Sequence, residues 1–302
     1  MNASTTDSSR IVTRFAPSPS GLLHLGHAYS ALFAHRLAVF GKGRFILRIE
    51  DIDPGRCRRE FEDGIVEDLA WLGLEWEKPF LRQSDRIPVY ADALAQLDAA
   101  GLLYPCFCTR SDIAAEIARS GVAPHLNHHG PDGPLYPGIC KHLSASERAH
   151  RIANKEPHAL RLDMDAAVST AGDLIWHDRT RGEQTAQPEL FGDIVLARKD
   201  VATSYHLAVT VDDAAQGITL VTRGADLFAA THIHRLLQAL LGLDVPEWHH
   251  TVILVNNKGT RLAKRDKAFT IRAMREAGTD PEEVWAMSIR QMARQATATE
   301  RI

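Results

Sequence analysis

Two histidines and a distant lysine offer the chemistry of a phosphate site. His24 and His27 follow a proline-rich turn and stand at the start of an apolar helical pattern, with Gly26 between them. A helix start presents free N–H groups and the positive end of the helix dipole, which suit a phosphate. The two imidazoles can donate hydrogen bonds to charge that develops on phosphorus. Lys264, in the basic stretch 261–265, could add a cation from the other side. The pattern predicts an ATP site, with both histidines and the lysine as its catalytic groups.

Three of the four cysteines form a second candidate site. Cys106, Cys108 and Cys140 could hold one Zn²⁺ ion in tetrahedral geometry, and the alternative is a set of small buried hydrophobic residues. The fourth ligand is open between Tyr136, four residues before Cys140, and a histidine. The nearby histidines are His125, His128, His129 and His142. Four cysteines are too few for a disulfide scaffold in a chain of this length. The clustering of three of them indicates a reducing, cytoplasmic compartment.

The composition is that of an ordinary globular protein. The 302 residues are 45% hydrophobic and 24% charged, which allows a sizeable core divided into two or three structural units. The net charge of −3 argues against a general polyanion binder, although residues 258–302 carry 10 Lys/Arg against 6 Asp/Glu. No apolar run of 18 residues predicts a membrane span, and residues 1–9 read as a disordered tail without a signal-peptide core.

Periodicity predicts the elements that position these residues. A strand at 11–15, a helix with apolar positions from 25 to 37, and a strand at 44–49 indicate a βαβ unit and a parallel sheet. The carboxylates of 50–53 would then lie at the carboxyl end of a strand, where ligands bind in open α/β sheets. Residues 105–160 lose periodicity, as an inserted subdomain does. Further strands are predicted at 194–197, 218–222 and 251–255, and further helices at 60–72 and 232–241.

Four sequence blocks in this order resemble one known family. They are Arg-Phe-Ala-Pro-Ser-Pro-Ser-Gly with its two following histidines at 14–27, Arg-Ile-Glu-Asp-Ile-Asp at 48–53, the block 205–223, and 261–265. They resemble the class I aminoacyl-tRNA synthetases, in the form typical of glutamyl-tRNA synthetases. The last block departs from the family's Lys-Met-Ser-Lys-Ser signature, including at its first and third positions, but Lys264 falls on the lysine that contacts ATP.

The resemblance implies a Rossmann-like catalytic domain with a glutamate site. Glu50 would bind the amino group of glutamate, and Tyr205 and Arg223 would line the pocket. Arg14 and Arg223 suit a dicarboxylic substrate, because guanidinium groups pair well with carboxylates. The implied glutamate-binding set is Arg14, Ala16, Ser18, Glu50, Tyr205 and Arg223, and the implied ATP-binding set is His24, Gly26, His27 and Lys264.

A shorter branch of the family is the better match. Only 37 residues follow Arg265, whereas full-length members continue into an anticodon-reading region, so no anticodon-binding domain is expected. The short branch carries a C-x-C…Y-x-x-x-C zinc site, which favours Tyr136 as fourth ligand beside Cys106, Cys108 and Cys140. The resemblance thus implies one structural Zn²⁺ and Mg²⁺-ATP as substrate. Glutamate would be activated as glutamyl-adenylate and transferred to the queuosine base in the anticodon of tRNA(Asp).

Two alternatives remain open. The chain could be a truncated tRNA-charging glutamyl-tRNA synthetase, or a non-catalytic synthetase-like paralogue that binds tRNA. The protein is expected to be a monomeric, cytoplasmic α/β enzyme without a membrane partner. Its predicted divisions are a tail (1–9), the first half of the catalytic domain (10–104), an inserted acceptor-type subdomain with zinc (105–192), the second half (193–245), and the signature loop with a short helical C-terminal region (246–302).

Overall fold

The computed structural model describes residues 10–120, 129–252 and 270–299 of the chain. The tail 1–9 and the signature loop 261–265 lie outside these ranges, so their predicted structure is not described. Among the described residues, no helix is both long and apolar enough to cross a membrane.

The strands and helices alternate, as expected for an α/β fold. The strands are β1 (Val12–Phe15), β2 (Arg44–Ile49), β3 (Leu81–Arg82), β4 (Leu103–Cys106), β5 (His129–Gly130), β6 (Gly133–Pro134), β7 (Ala159–Leu162), β8 (Ile175–Asp178), β9 (Gly182–Thr185), β10 (Val195–Ala197), β11 (Leu220–Gly224) and β12 (Glu247–Thr251). The helices are α1 (Leu25–Phe40), α2 (Arg59–Trp71), α3 (Ile87–Ala99), α4 (Arg110–Ser120), α5 (Ala145–Ala153), α6 (Met164–Ala171), α7 (Tyr205–Ala215), α8 (Ala230–Leu241), α9 (Ile271–Glu276) and α10 (Pro281–Thr299).

Parallel strands build the layer that carries the site. β1 pairs with β2 and β2 with β3, while β11 pairs with β12 and β12 with β8, all in parallel. The two groups meet where the Thr219 N–H donates to the Val12 carbonyl at 3.0 Å, at the start of β1 and β11. The strand order is therefore β3-β2-β1-β11-β12-β8, with β9 antiparallel at the edge.

The predicted βαβ unit is confirmed. Helix α1 packs its buried face, which includes Ala28, Ala31 and Leu32, on β1 and β2. Its end needs a glycine at position 43, because a Cβ there would lie 1.7 Å from the carbonyl oxygen of Ile11. The chain can therefore turn back directly into β2.

A small antiparallel sheet, β10-β7-β4, lies outside the parallel layer. It draws one strand from each of the predicted regions 10–104, 105–192 and 193–245. Residues 175–185, predicted as part of the insertion, instead pair with β12 through β8. The domain boundaries at 104 and 192 remain predictions, and the strand pairing crosses both of them.

One strand begins before the predicted one. A strand is predicted at 251–255, whereas β12 runs from Glu247 to Thr251, and 253–255 lie outside the described residues. The inward positions of β12 include Trp248 and His250. Its histidines make a buried strand look like a polar segment, which is why the hydrophobic pattern did not predict residues 247–250 as strand.

A buried carboxylate joins two neighbouring strands of the sheet to a helix. Asp213 on α7 accepts hydrogen bonds from Nε and Nη2 of Arg14 on β1, at 3.0 and 3.3 Å. It also accepts one from Nη1 of Arg48 on β2, at 2.8 Å. Burial raises the pKa of Asp213, but the two arginines outweigh it and the net shift is downward. The pair of cations is stable in the interior only while this carboxylate lies between them.

We expect Asp213→Asn to lower the free energy of unfolding by about 3–5 kcal/mol, because it leaves the buried guanidinium of Arg14 without a carboxylate and that of Arg48 with Glu50 alone. Urea denaturation measures the change. The matched control is Asp63→Asn, which removes an exposed ion pair with Arg59 and should cost at most about 1 kcal/mol. Equal losses in the two variants would contradict the role of Asp213.

Candidate functional site

A cavity of about 400 Å³ opens at the carboxyl ends of β1, β2 and β11. This is the edge of a parallel sheet where ligands bind in α/β folds. All six residues predicted to bind glutamate line it, and so does His27. The lining residues used below are Arg14, Ala16, Ser18, His27, Glu50, Cys57, Tyr205 and Arg223. The fold therefore brings together residues that are separated by up to about 200 positions in the sequence.

The two histidines form the first turn of α1. His24 is the N-cap, and its Nδ1 accepts the Gly26 N–H at 3.1 Å, while Nδ1 of His27 accepts the His24 N–H at 3.2 Å. The rings are stacked, with centroids 3.8 Å apart. Because both Nδ1 atoms accept, each neutral ring carries its proton on Nε2. Both rings are thus donors at Nε2, beside a helix start that favours anions.

Lys264 and the rest of the signature block 261–265 lie outside the described residues. Its placement relative to His24 and His27 stays a prediction.

Glu50 lies at the end of β2 and faces the cavity with a side chain that is 10% exposed. Nη2 of Arg48 donates to its Oε1 at 3.2 Å. Burial raises the pKa of Glu50, and the nearby charges of Arg48 and Arg14 offset only part of that rise. A ligand ammonium group beside Glu50 would favour the charged carboxylate.

The two predicted substrate arginines lie in different environments. Arg14 directs two of its nitrogens to Asp213, and its Nη1 donates to the Thr222 carbonyl at 3.1 Å. Its charge is therefore compensated within the protein. Sequence analysis assigned no role to Arg48 or Asp213, although both occur in the family blocks. The signal that could have identified these two residues is a charged side chain inside an otherwise apolar strand or helix.

Arg223 has no such carboxylate. Its Nε donates to Nε2 of His250 at 3.0 Å, its Nη1 to Nδ1 of His234 at 3.0 Å, and its Nη2 to the Thr231 hydroxyl at 2.5 Å. Burial lowers the pKa of Arg223, and an arginine still remains charged at neutral pH. Among the described residues, no carboxylate lies within ion-pair distance of it. Burial also raises the pKa of Tyr205, so this neighbouring phenol in the cavity stays neutral.

His250 connects Arg223 to a buried aspartate. Its Nδ1 lies 2.6 Å from Oδ2 of Asp178, and both side chains are fully buried. Burial and the charges of Arg223 and Arg181 lower the pKa of His250 to about 4, against the opposite effect of Asp178. Sequence analysis missed His250, His234 and Asp178. Nothing in their local spacing distinguishes them from other polar residues.

The cysteine cluster lies at the end of β4, on the small antiparallel sheet. The Sγ atoms of Cys106, Cys108 and Cys140 lie within 4.8 Å of one another. Zn–S bonds of about 2.3 Å place tetrahedral ligands about 3.8 Å apart, so the three sulfurs fit one ion. The Tyr136 hydroxyl lies 3.4 Å from Sγ of Cys106 and 3.5 Å from Sγ of Cys108, in the position of a fourth ligand.

The histidine alternatives divide into two groups. His129 and His142 are described, and neither joins the cysteine cluster. His125 and His128 lie outside the described residues. Of the described candidates, Tyr136 is the one whose oxygen contacts the sulfurs.

Comparisons with known proteins agree with this geometry. A family model described as tRNA synthetases class I (E and Q), catalytic domain, matches residues 10–301. The chain is 48% identical over 280 residues to the glutamyl-Q tRNA(Asp) synthetase of Rhodobacter capsulatus, and the match covers 91% of this chain and 98% of that protein. It is 43% identical to the protein of the same name from Symbiobacterium thermophilum, covering 90% of this chain and 83% of that one.

A solved structure shares the architecture. It is a glutamate tRNA ligase from Elizabethkingia meningosepticum in complex with its amino acid, with a TM-score of 0.70 and 28% identity. The match covers 85% of this chain and 52% of that ligase, so the likeness spans about half of the solved chain.

The buried His250 predicts an acid-sensitive fold. Its pKa in the folded protein, about 4, lies below its ordinary value of 6.5, so the unfolded chain binds a proton first as the pH falls. The contribution of the buried neutral His250 to the free energy of unfolding is complete above about pH 6.5 and is lost as the pH falls towards 4. Between pH 7 and pH 5 the wild type should lose about 2 kcal/mol more unfolding free energy than His250→Gln. Urea titrations at both pH values measure this, and the same pH dependence in both proteins would contradict the assignment.

Proposed function

The chain belongs to the class I tRNA synthetases for glutamate and glutamine, and from this membership we propose that it activates L-glutamate with ATP and transfers it to the queuosine base in the anticodon of tRNA(Asp). The observation that carries the proposal is 48% identity across 98% of a relative named for that reaction. A second relative of the same name supports it at 43% identity.

In the activation step, the cavity would hold glutamate by charge compensation. Glu50 would pair with the α-ammonium group, and Arg223 with Tyr205 would bind a carboxylate. Arg14, Ala16 and Ser18 would form the remaining walls of the glutamate site. The arrangement suits a substrate that carries carboxylates and an ammonium group, because Arg223 supplies a cation with no carboxylate of the described residues within ion-pair distance, and Glu50 supplies an anion.

ATP would bind at the start of α1, with Mg²⁺ arriving as part of the substrate. The α-carboxylate of glutamate attacks the α-phosphorus in line, which forms the mixed anhydride and releases pyrophosphate. His24 and His27 would donate from Nε2 to the phosphate oxygens, the backbone at Gly26 would leave room for the nucleotide, and Lys264 would approach as a cation. These groups contact charge that grows in the transition state, and such contacts accelerate the step.

In the transfer step, a hydroxyl of the queuosine cyclopentenediol attacks the carbonyl carbon of glutamyl-adenylate. An ester forms and AMP leaves, so no side chain of the protein needs to act as nucleophile. We place this reaction in the cytoplasm, where ATP and tRNA meet, which also suits a cluster of free thiols. A monomeric state remains a prediction from the sequence.

Locating radiolabelled glutamate on tRNA tests the function. We expect glutamate-dependent exchange of pyrophosphate into ATP, and label on the anticodon nucleotide of tRNA(Asp). The matched control is the same tRNA without queuosine, which should take up no label. Label on the 3′-terminal adenosine would favour a charging enzyme instead. No exchange under any condition would favour the tRNA-binding paralogue.

We also propose that Cys106, Cys108, Tyr136 and Cys140 hold one structural Zn²⁺ ion. The fit rests on the mutual distances of the three sulfurs and the Tyr136 hydroxyl. When bound, zinc would hold the end of β4 against the turn at 136–140, because its ligands come from both. The site would have no role in the chemistry of activation.

We expect about one zinc per chain in the purified protein, lost when Cys106 and Cys108 are both changed to Ser, because two of four ligands disappear. Elemental analysis measures it. Cys57→Ser is the control. The fourth cysteine lines the cavity proposed for glutamate, so its substitution should leave the zinc content unchanged. Tyr136→Phe should weaken zinc retention against a chelator. Full retention in that variant would assign the fourth ligand to another residue.

A further inference from the structure

Arg223 is held by two buried histidines that have no role in the proposed chemistry. His250 on β12 and His234 on α8 each accept one N–H of the guanidinium at 3.0 Å. His250 and His234 are 5% and 4% exposed. Both hydrogen bonds lie in the protein interior, so their effect is on the position of the Arg223 guanidinium.

The hydrogen bonds define the proton on each ring. An arginine only donates, so Nε2 of His250 and Nδ1 of His234 must both be unprotonated acceptors. The proton of His250 then lies on Nδ1 and is donated to Oδ2 of Asp178 at 2.6 Å. The proton of His234 lies on Nε2 and is donated to Nδ1 of His206 at 3.2 Å. Each ring is therefore neutral and has a single tautomer.

This arrangement keeps the positive charge of Arg223 available. Arg14 contacts the carboxylate of Asp213 directly, which cancels much of its field. On the side of His250, the imidazole ring separates Arg223 from the carboxylate of Asp178. A neutral acceptor orients a guanidinium without neutralising it, so the cation can pair with a carboxylate that enters the cavity.

We propose that His250 and His234 are positioning residues for Arg223: as neutral rings of one tautomer, they aim its guanidinium at the cavity and leave its charge for a substrate carboxylate. Asp178 selects the tautomer of His250, as a buried aspartate does for a catalytic histidine. The inference deepens the proposed function and rests on glutamate being the ligand of this cavity.

Two substitutions at position 250 separate the two hydrogen bonds of its ring. The amide of Gln reaches the place of Nε2, so His250→Gln retains an acceptor for Arg223 and loses the donor to Asp178. The amide of Asn reaches only the place of Nδ1, so His250→Asn retains the donor to Asp178 and loses the acceptor. A purely structural role would make the two variants equally defective.

The readout is steady-state pyrophosphate exchange by the full-length protein. We expect His250→Asn to raise the KM for glutamate about tenfold or more, because one hydrogen bond to a charged group is lost, with the KM for ATP unchanged. His250→Gln should stay within about threefold of wild type. Asp178→Asn should resemble His250→Asn, because an amide at that position favours the opposite tautomer. His249→Gln, the neighbouring residue that packs on Phe33, is the control and should not alter either constant. Equal KM values for the Gln and Asn variants would overturn the proposal.

A second readout is independent of activity. In ¹⁵N-labelled wild type at pH 7, the long-range histidine spectrum should show His250 protonated at Nδ1 and His234 at Nε2. The opposite tautomer or a doubly protonated ring at either position would overturn the proposal, even if no variant folds. Absence of glutamate-dependent exchange in wild type would instead refute the proposed function. Stabilisation of wild type against heat by glutamate, reduced in His250→Asn but not in His250→Gln, would still support the positioning role.

Discussion

The architecture depends on one buried carboxylate, Asp213, which lies between the guanidinium groups of Arg14 and Arg48. These three residues come from β1, β2 and α7, so their ion pairs join both strands of the first βαβ unit to the helix that begins with Tyr205. Two arginines would not otherwise be stable in this interior, because burying an uncompensated charge costs several kcal/mol. Once the three are paired, the carboxyl ends of β1 and β2 are held beside the last turn of α7, whose first residue, Tyr205, lines the cavity.

The same network gives the two cavity arginines different properties. Arg14 shares the carboxylate of Asp213 with Arg48 and forms part of the wall. Arg223 is held by neutral acceptors, so its charge remains for a ligand. Glu50 adds one negative charge at the carboxyl end of β2, where Arg48 hydrogen-bonds to it. A cavity that offers both a cation and an anion suits a ligand that carries carboxylates and an ammonium group, which agrees with the family to which the chain belongs.

The cysteine cluster and the cavity lie on different sheets. Cys106 ends β4 in the antiparallel sheet, while Glu50 and Arg223 lie at the ends of strands of the parallel layer. Contacts just after β10 connect the two regions: Arg198 contacts Asp53 from the turn after β2, and Lys199 donates to the Phe107 carbonyl beside the cluster. None of the three clustered cysteines lines the cavity.

The sequence by itself determined the features whose chemistry is local. A helix start with two histidines, a strand that ends in carboxylates and a C-x-C pair are set by nearest neighbours, so their residue types and spacing sufficed to predict the βαβ unit and the sulfur cluster. The set of cavity residues followed from the resemblance to a known family. Only the tertiary structure decided which arginine keeps its charge. Asp213 lies 199 positions from Arg14, and Asp178 lies 72 positions from His250. The first four residues of β12 were not predicted as strand for the same reason, because the buried polar residues of β12 find their partners on β8 and β11. The effective charge of a buried group depends on what packs against it in space, and no local pattern of residues specifies that.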